Sequence, residues 1–221
     1  MLGALDPRTA RAVLPPWLAS VDLAIVDFAY IVAGFPVRVS ALRQDLTDHF
    51  YRNYWVRFDF ESGSAGLRWV RERLGARALR EAREIVERWE VRTVLDAAPS
   101  HLVWRTLHDF WMAEGRAAVV GSHSQKAMVR TIQTFETDFM IELVIGADDV
   151  PTARPDRAML RAALHGLSVR ADRALFVGRT WADREMARRA GLAYLDFGQS
   201  FGRLPVELRP DQRELQRLLA S

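Results

Sequence analysis

The sequence predicts an α/β fold: a Rossmann-like, three-layer core around a parallel sheet, with an inserted helical cap. Short continuous apolar runs at residues 23–26, 117–120 and 174–177 read as strands buried on both faces. From about Pro99 onward such runs alternate with helical patterns of roughly 10–15 residues, the rhythm of strand–helix–strand units. The first strand lies about 90 residues ahead of the second, too far for a simple crossover. Residues 35–99 are therefore expected to form the cap, and residues 1–34 and 100–221 the core.

Taken in order, the leader carries a helical pattern over 7–13 and then Pro15-Pro16. After the first strand comes an aromatic run, Phe50, Tyr51, Tyr54, Trp55, Phe58 and Phe60, which is cap packing, a lid over a ligand or a partner surface. Residues 67–91 repeat apolar side chains at helical spacing, with Gly75 dividing two helices. A helix after Pro99 should stop near Gly115, and strand two ends at Gly121. Ser122 or Ser124 then caps a helix whose inner face is Met128, Val129, Ile132 and Phe135. A third strand is expected at 141–145, with a helix starting at Pro155. The fourth strand ends at Gly178, Gly191 stops the next helix, and residues 193–197 make a fifth strand. A last helix begins near Pro210.

Composition narrows the function classes. The chain has 221 residues and no cysteine, which removes disulfides, thiolate nucleophiles and cysteine-held metals. The pI near 9.8 suggests a nucleic-acid binder, but the formal net charge is only +3. The basic residues are almost all Arg, spread through the chain and interleaved with Glu, which argues against a nucleic-acid partner. No apolar stretch is long enough to span a bilayer, and the first 16 residues lack the apolar core of a signal peptide. A soluble, cytoplasmic protein is the expectation.

In open α/β sheets ligands bind beyond the carboxyl ends of the strands. The residues there are Asp27, Gly121-Ser122-His123-Ser124, Arg154-Pro155-Asp156 and Gly178-Arg179-Thr180-Trp181-Ala182-Asp183. Asp27 is either a nucleophile or a carboxylate paired with Arg154 or Arg179. Arg154 either grips an anion or bridges to Asp27 or Asp183. Gly121 and Ser122, at a helix N-terminus, complete a candidate anion site with Arg154 and Arg179.

These residues resemble the haloacid dehalogenase-like hydrolase superfamily of the helical-cap type, over roughly residues 20–35 and 100–200. The family's Asp-x-Asp-Gly-Thr stands here as Asp27-Phe28-Ala29-Tyr30-Ile31, and its strand-two Thr or Ser as Gly121-Ser122. Its Lys-Pro stands as Arg154-Pro155, and its Gly-Asp-Ser-x-x-Asp ends in Asp183. The resemblance implies a phosphatase in which the first Asp attacks phosphorus and the second shuttles a proton. It also implies a magnesium ion held by the first Asp, the carbonyl two residues later and the fourth-motif acid.

Ala29 cannot exchange a proton, and a guanidinium at Arg179 cannot ligate a cation. The sequence therefore carries the expectation that magnesium is lost, with no cofactor, and that Asp27 is a vestigial nucleophile beside Asp183. On that expectation the protein binds a small anionic ligand or a protein partner, with a homo-oligomer left open. The alternative is a weak or altered phosphatase- or dehalogenase-like hydrolase that uses Asp27 as nucleophile.

Overall fold

The computed structural model describes residues 14, 16–58, 63–152, 154–196 and 206–207. The helical patterns expected over 7–13 and from Pro210 lie outside them, as do Phe60 and Phe197. A short helix α1 (Pro16–Ala19) leads into β1 (Leu23–Asp27), all five of whose residues are buried. The strands β4 (Arg116–Val120), β5 (Leu143–Ile145), β6 (Ala174–Gly178) and β7 (Ala193–Asp196) join it in one parallel sheet of order β5-β4-β1-β6-β7. A short antiparallel strand at Val206–Glu207 pairs with β7, which the sequence pattern did not reveal.

Alternation along β1 builds two cores. Ala24 and Val26 face α5 (His101–Met112) and α6 (Gln125–Thr134), packing with Leu107, Phe110, Met128 and Ile132. Leu23 and Ile25 face α7 (Ala158–Gly166) and α8 (Trp181–Ala190), packing with Leu160, Phe176 and Met186. Helices on both faces of a parallel sheet explain why its strands read as unbroken apolar runs. All five parallel strands end on one edge, at Asp27, Val120, Ile145, Gly178 and Asp196.

Between β1 and β4 the chain leaves through a helical turn α2 (Phe28–Ile31) and β2 (Val32–Gly34). It returns through β3 (Ala98–Pro99), which pairs antiparallel with β2. Two helices lie between, α3 (Val39–Tyr54) and α4 (Gly63–Thr93), with their own apolar cluster of Leu46, Phe50, Phe58, Val70, Ala78 and Ala82. Gly75, at φ 85°, breaks α4 as its position predicts. The aromatic run divides: Phe50 and Phe58 stack inside this cluster with centroids 5.5 Å apart, whereas Tyr51 and Trp55 are exposed.

Two boundaries differ from the expectation. The third strand begins at Leu143, because residues 138–140 form a 3-10 turn that buries Met140. The helix expected at Pro155 starts at Ala158, where Asp156 Oδ1 accepts the Ala158 N–H at 2.8 Å. Among the described residues no helix is long and apolar enough to cross a membrane.

Candidate active site

Three of the sequence-selected residues meet at the strand ends. Asp27 closes β1 and caps α2, its Oδ1 accepting the Ala29 N–H at 2.9 Å. Asp183 lies in the first turn of α8, where its Oδ2 accepts the N–H groups of Arg179 (3.1 Å) and Thr180 (3.0 Å). The Thr180 hydroxyl answers by accepting the Asp183 N–H at 3.1 Å, a capping box that locks the carboxylate in place. Gly178 is required for this approach, since a Cβ there would lie 2.7 Å from Asp183 Cβ.

Arg154 joins the two acids. Its Nη1 donates to Asp183 Oδ1 at 2.7 Å, and its Nη2 donates to Asp27 Oδ2. Of the bridges open to Arg154, it makes both at once. Asp27 and Asp183 are 4% and 1% exposed, so neither carboxylate has much water to turn to. Burial pushes the Asp27 carboxyl above its ordinary range, Arg154 pulls it back, and the Asp183 charge pushes it up again. Arg154 Nε is buried without a partner among the described residues.

Arg179 sits differently from the sequence expectation. Its side chain is exposed, and its backbone N–H, not its guanidinium, meets Asp183. The candidate anion loop is also partly spoken for. The Gly121 N–H donates to the Ile145 carbonyl at 3.0 Å, and the Gln125 N–H to Asp148 Oδ1 at 2.8 Å. Ser124 is the helix cap, its Oγ accepting the Ala127 N–H at 3.4 Å, and Ser122 is exposed.

Sequence reasoning missed two residues here. Asp196, buried at the end of β7, lies near Tyr194 and Tyr30, whose phenols burial and that carboxylate push well above their usual range. Its position at the tip of an apolar run was a usable signal. Glu90, 4% exposed on α4, binds His123 Nδ1 through Oε1 at 2.8 Å and accepts the Ser124 N–H on Oε2 at 2.8 Å. Nothing in an Arg/Glu-rich helix marks one Glu as buried, and His123, which it binds, is half-buried.

The sequence profile of the haloacid dehalogenase-like hydrolases matches residues 81–196. A phosphoglycolate phosphatase from Rhodospirillum rubrum is 40% identical over 63 residues, covering 28% of this chain and 26% of that protein. A phosphoglycolate phosphatase from Rhodobacter capsulatus is 32% identical over 74 residues, covering 34% and 32%. The chain thus spans about a quarter to a third of the curated relatives it matches. Among solved structures, a haloacid dehalogenase-like hydrolase from Bacteroides fragilis superposes with a TM-score of 0.61 at 16% identity, covering 79% of this chain and 86% of that one. CbbY from Rhodobacter sphaeroides, in complex with phosphate, gives 0.56 at 18% identity, covering 79% and 84%.

These findings correct the expectation of a lost magnesium ion. Phosphatases of this family normally work with magnesium, whereas the expected loss rested on Arg179, a guanidinium that cannot ligate a cation, standing where the family has a ligating acid. The Arg179 side chain is exposed, so its charge is not held between Asp27 and Asp183. Asp27 and Asp183 are buried carboxylates, hard oxygen donors of the kind magnesium takes, and Arg154 bridges them, so the ion would have to displace that guanidinium. With the family profile matching residues 81–196, half of its length, the chain belongs to the haloacid dehalogenase-like hydrolase family.

Proposed function

We propose that the protein is a phosphate monoester hydrolase acting on small phosphorylated acids, with Asp27 as nucleophile. The observation that carries this reading is the Arg154 fork, which holds Asp27 and Asp183 together at the strand ends. An Asp27 oxygen attacks phosphorus in line with the departing ester oxygen, and an aspartyl phosphate forms. Arg154 offers its paired N–H groups to the phosphoryl oxygens, a geometry that guanidinium matches two bonds at a time. Asp183, fixed by the capping box, keeps Arg154 turned toward the reacting group. Water then cleaves the aspartyl phosphate and restores Asp27. Magnesium bound to these carboxylates would supply Lewis-acid polarisation of the phosphoryl group. The substrate class follows the named relatives, both phosphoglycolate phosphatases.

A second reading, a binding module without turnover, is favoured by Ala29 at the acid–base position of the family motif. One assay separates the two. With magnesium supplied, the protein should hydrolyse 2-phosphoglycolate and 4-nitrophenyl phosphate, and Asp27→Asn should abolish both. Phosphate binding by calorimetry with no hydrolysis of either ester would overturn the phosphatase reading in favour of the binding module.

A further inference from the structure

We propose that His123, held by the buried Glu90, is the acid–base group of this reaction, standing in for the carboxylate that Ala29 lacks. The inference rests on the phosphatase reading above. The sheet register places Asp27 beside Val120, so the loop that follows β4 rises next to the nucleophile. His123 is the third residue of that loop. Its ring packs edge-on against Phe28, the neighbour of Asp27, at 5.3 Å, and against Phe35, on the way to the cap, at 4.8 Å. From the cap side Glu90 binds its Nδ1 at 2.8 Å. The imidazole therefore sits where cap and core meet above the strand ends.

The chemistry of the pair fits the task. Glu90 has two partners in the same loop, His123 Nδ1 and the Ser124 N–H, which fix both its oxygens. A carboxylate on Nδ1 sets the ring's orientation and leaves Nε2 to exchange a proton. That nitrogen has no partner among the described residues and is not sealed from solvent. The remaining histidines lie elsewhere: His49 binds Glu81 in the cap, and His101, His108 and His165 belong to α5 and α7.

The proton balance closes. As Asp27 forms its bond to phosphorus, the ester P–O bond breaks and the departing alkoxide takes the proton from His123 Nε2. The neutral ring keeps its Nδ1–H toward Glu90. In the second half, Nε2 takes a proton from the water that attacks the aspartyl phosphate. Phosphate leaves, and Asp27 and the imidazolium are restored.

Leaving-group dependence tests the step. A poor leaving group needs a proton and nitrophenolate does not, so His123→Asn should lower kcat/KM for 2-phosphoglycolate about 100-fold or more, with a far smaller loss on 4-nitrophenyl phosphate. Glu90→Gln, which keeps the ring, should give an intermediate loss with the same selectivity. Equal losses on both esters, or none, would overturn the proposal. A second measurement needs no turnover and no variant fold. In wild-type protein labelled with nitrogen-15, vanadate should shift the His123 Nε2 resonance together with the Gly178 amide. A moving Gly178 amide with a still His123 overturns the acid–base role alone; no vanadate binding overturns the phosphatase reading as well.

Discussion

Arg154 Nη1 donates to Asp183 Oδ1 at 2.7 Å, and the second amino group of the same guanidinium reaches Asp27, so one cation answers two buried acids. Coupling of this kind makes the site sensitive to the loss of the cation. A buried charge that loses its partner costs far more than the pair contributes when intact.

Arg154→Ala leaves Asp27 and Asp183 facing each other without a cation between them. Removing one partner of a buried pair costs about 3–5 kcal/mol, and the midpoint of urea unfolding should fall accordingly. The Asp27 carboxyl should rise further, because the group that lowers it is gone while the Asp183 charge stays. Arg154→Lys retains the charge without the fork and should lose less stability than the alanine variant. Equal midpoints for the alanine variant and wild type would contradict the bridge.

Asp27→Asn should raise the melting temperature at neutral pH in magnesium-free buffer. The folded-state carboxyl titrates above its ordinary value of 3.8, chiefly through burial. Ionised Asp27 therefore counts against the fold, by an amount that is absent below the unfolded value and grows as pH rises to the folded one. The advantage of the asparagine variant should shrink to nothing as the pH is taken below about 3.8. Calorimetric melts across a pH series measure this directly, and a variant that melts lower at neutral pH would refute it.

Gly121→Ala tests the close packing behind the loop. A Cβ there would lie 2.4 Å from Met128 Sδ and 2.9 Å from Phe28 Cβ. Met128 can swing away, but the Phe28 Cβ is tied to the backbone beside Asp27. Overpacking of this kind costs about 1–3 kcal/mol. Adding Met128→Ala to Gly121→Ala should relieve the Sδ clash and leave the Phe28 contact, so thermal melts of the double variant should show incomplete mutual compensation.

Trp104→Phe tests the anchor beneath the cap connection. The Trp104 indole N–H donates to the Ile31 carbonyl at 2.8 Å inside the core. That carbonyl also accepts the Ser100 N–H at 3.0 Å, so it is not orphaned when the indole is removed. The expected loss is about 1 kcal/mol, the net worth of one hydrogen bond, read from chemical denaturation.

Much of this molecule was legible from the chain. Strands such as residues 174–178 announce themselves because a strand covered on both faces has no polar positions to interrupt it. Gly75 and Gly191 mark helix ends because their backbones take positive φ, at 85° and 78°, and the spacing from Arg154 to Asp183 carried the family resemblance. The placement of Arg179 was not legible. A guanidinium adjacent to a strand end looks like a site residue in one dimension, and only the path of the chain into α8 turns its backbone, and not its side chain, toward Asp183.

What the sequence determined by itself is therefore local: apolar periodicity, breaks at glycine, and the order of polar residues at strand ends, each set by interactions within a few residues. The pairings were decided by tertiary structure. Arg154 and Asp27 are 127 residues apart, Arg154 and Asp183 29, and Glu90 and His123 33. No local preference chooses among the many Arg and Glu side chains of such a chain. Their partners are selected when sheet register and helix packing bury a few of them, because a charge removed from water must find its counter-charge where the fold puts it.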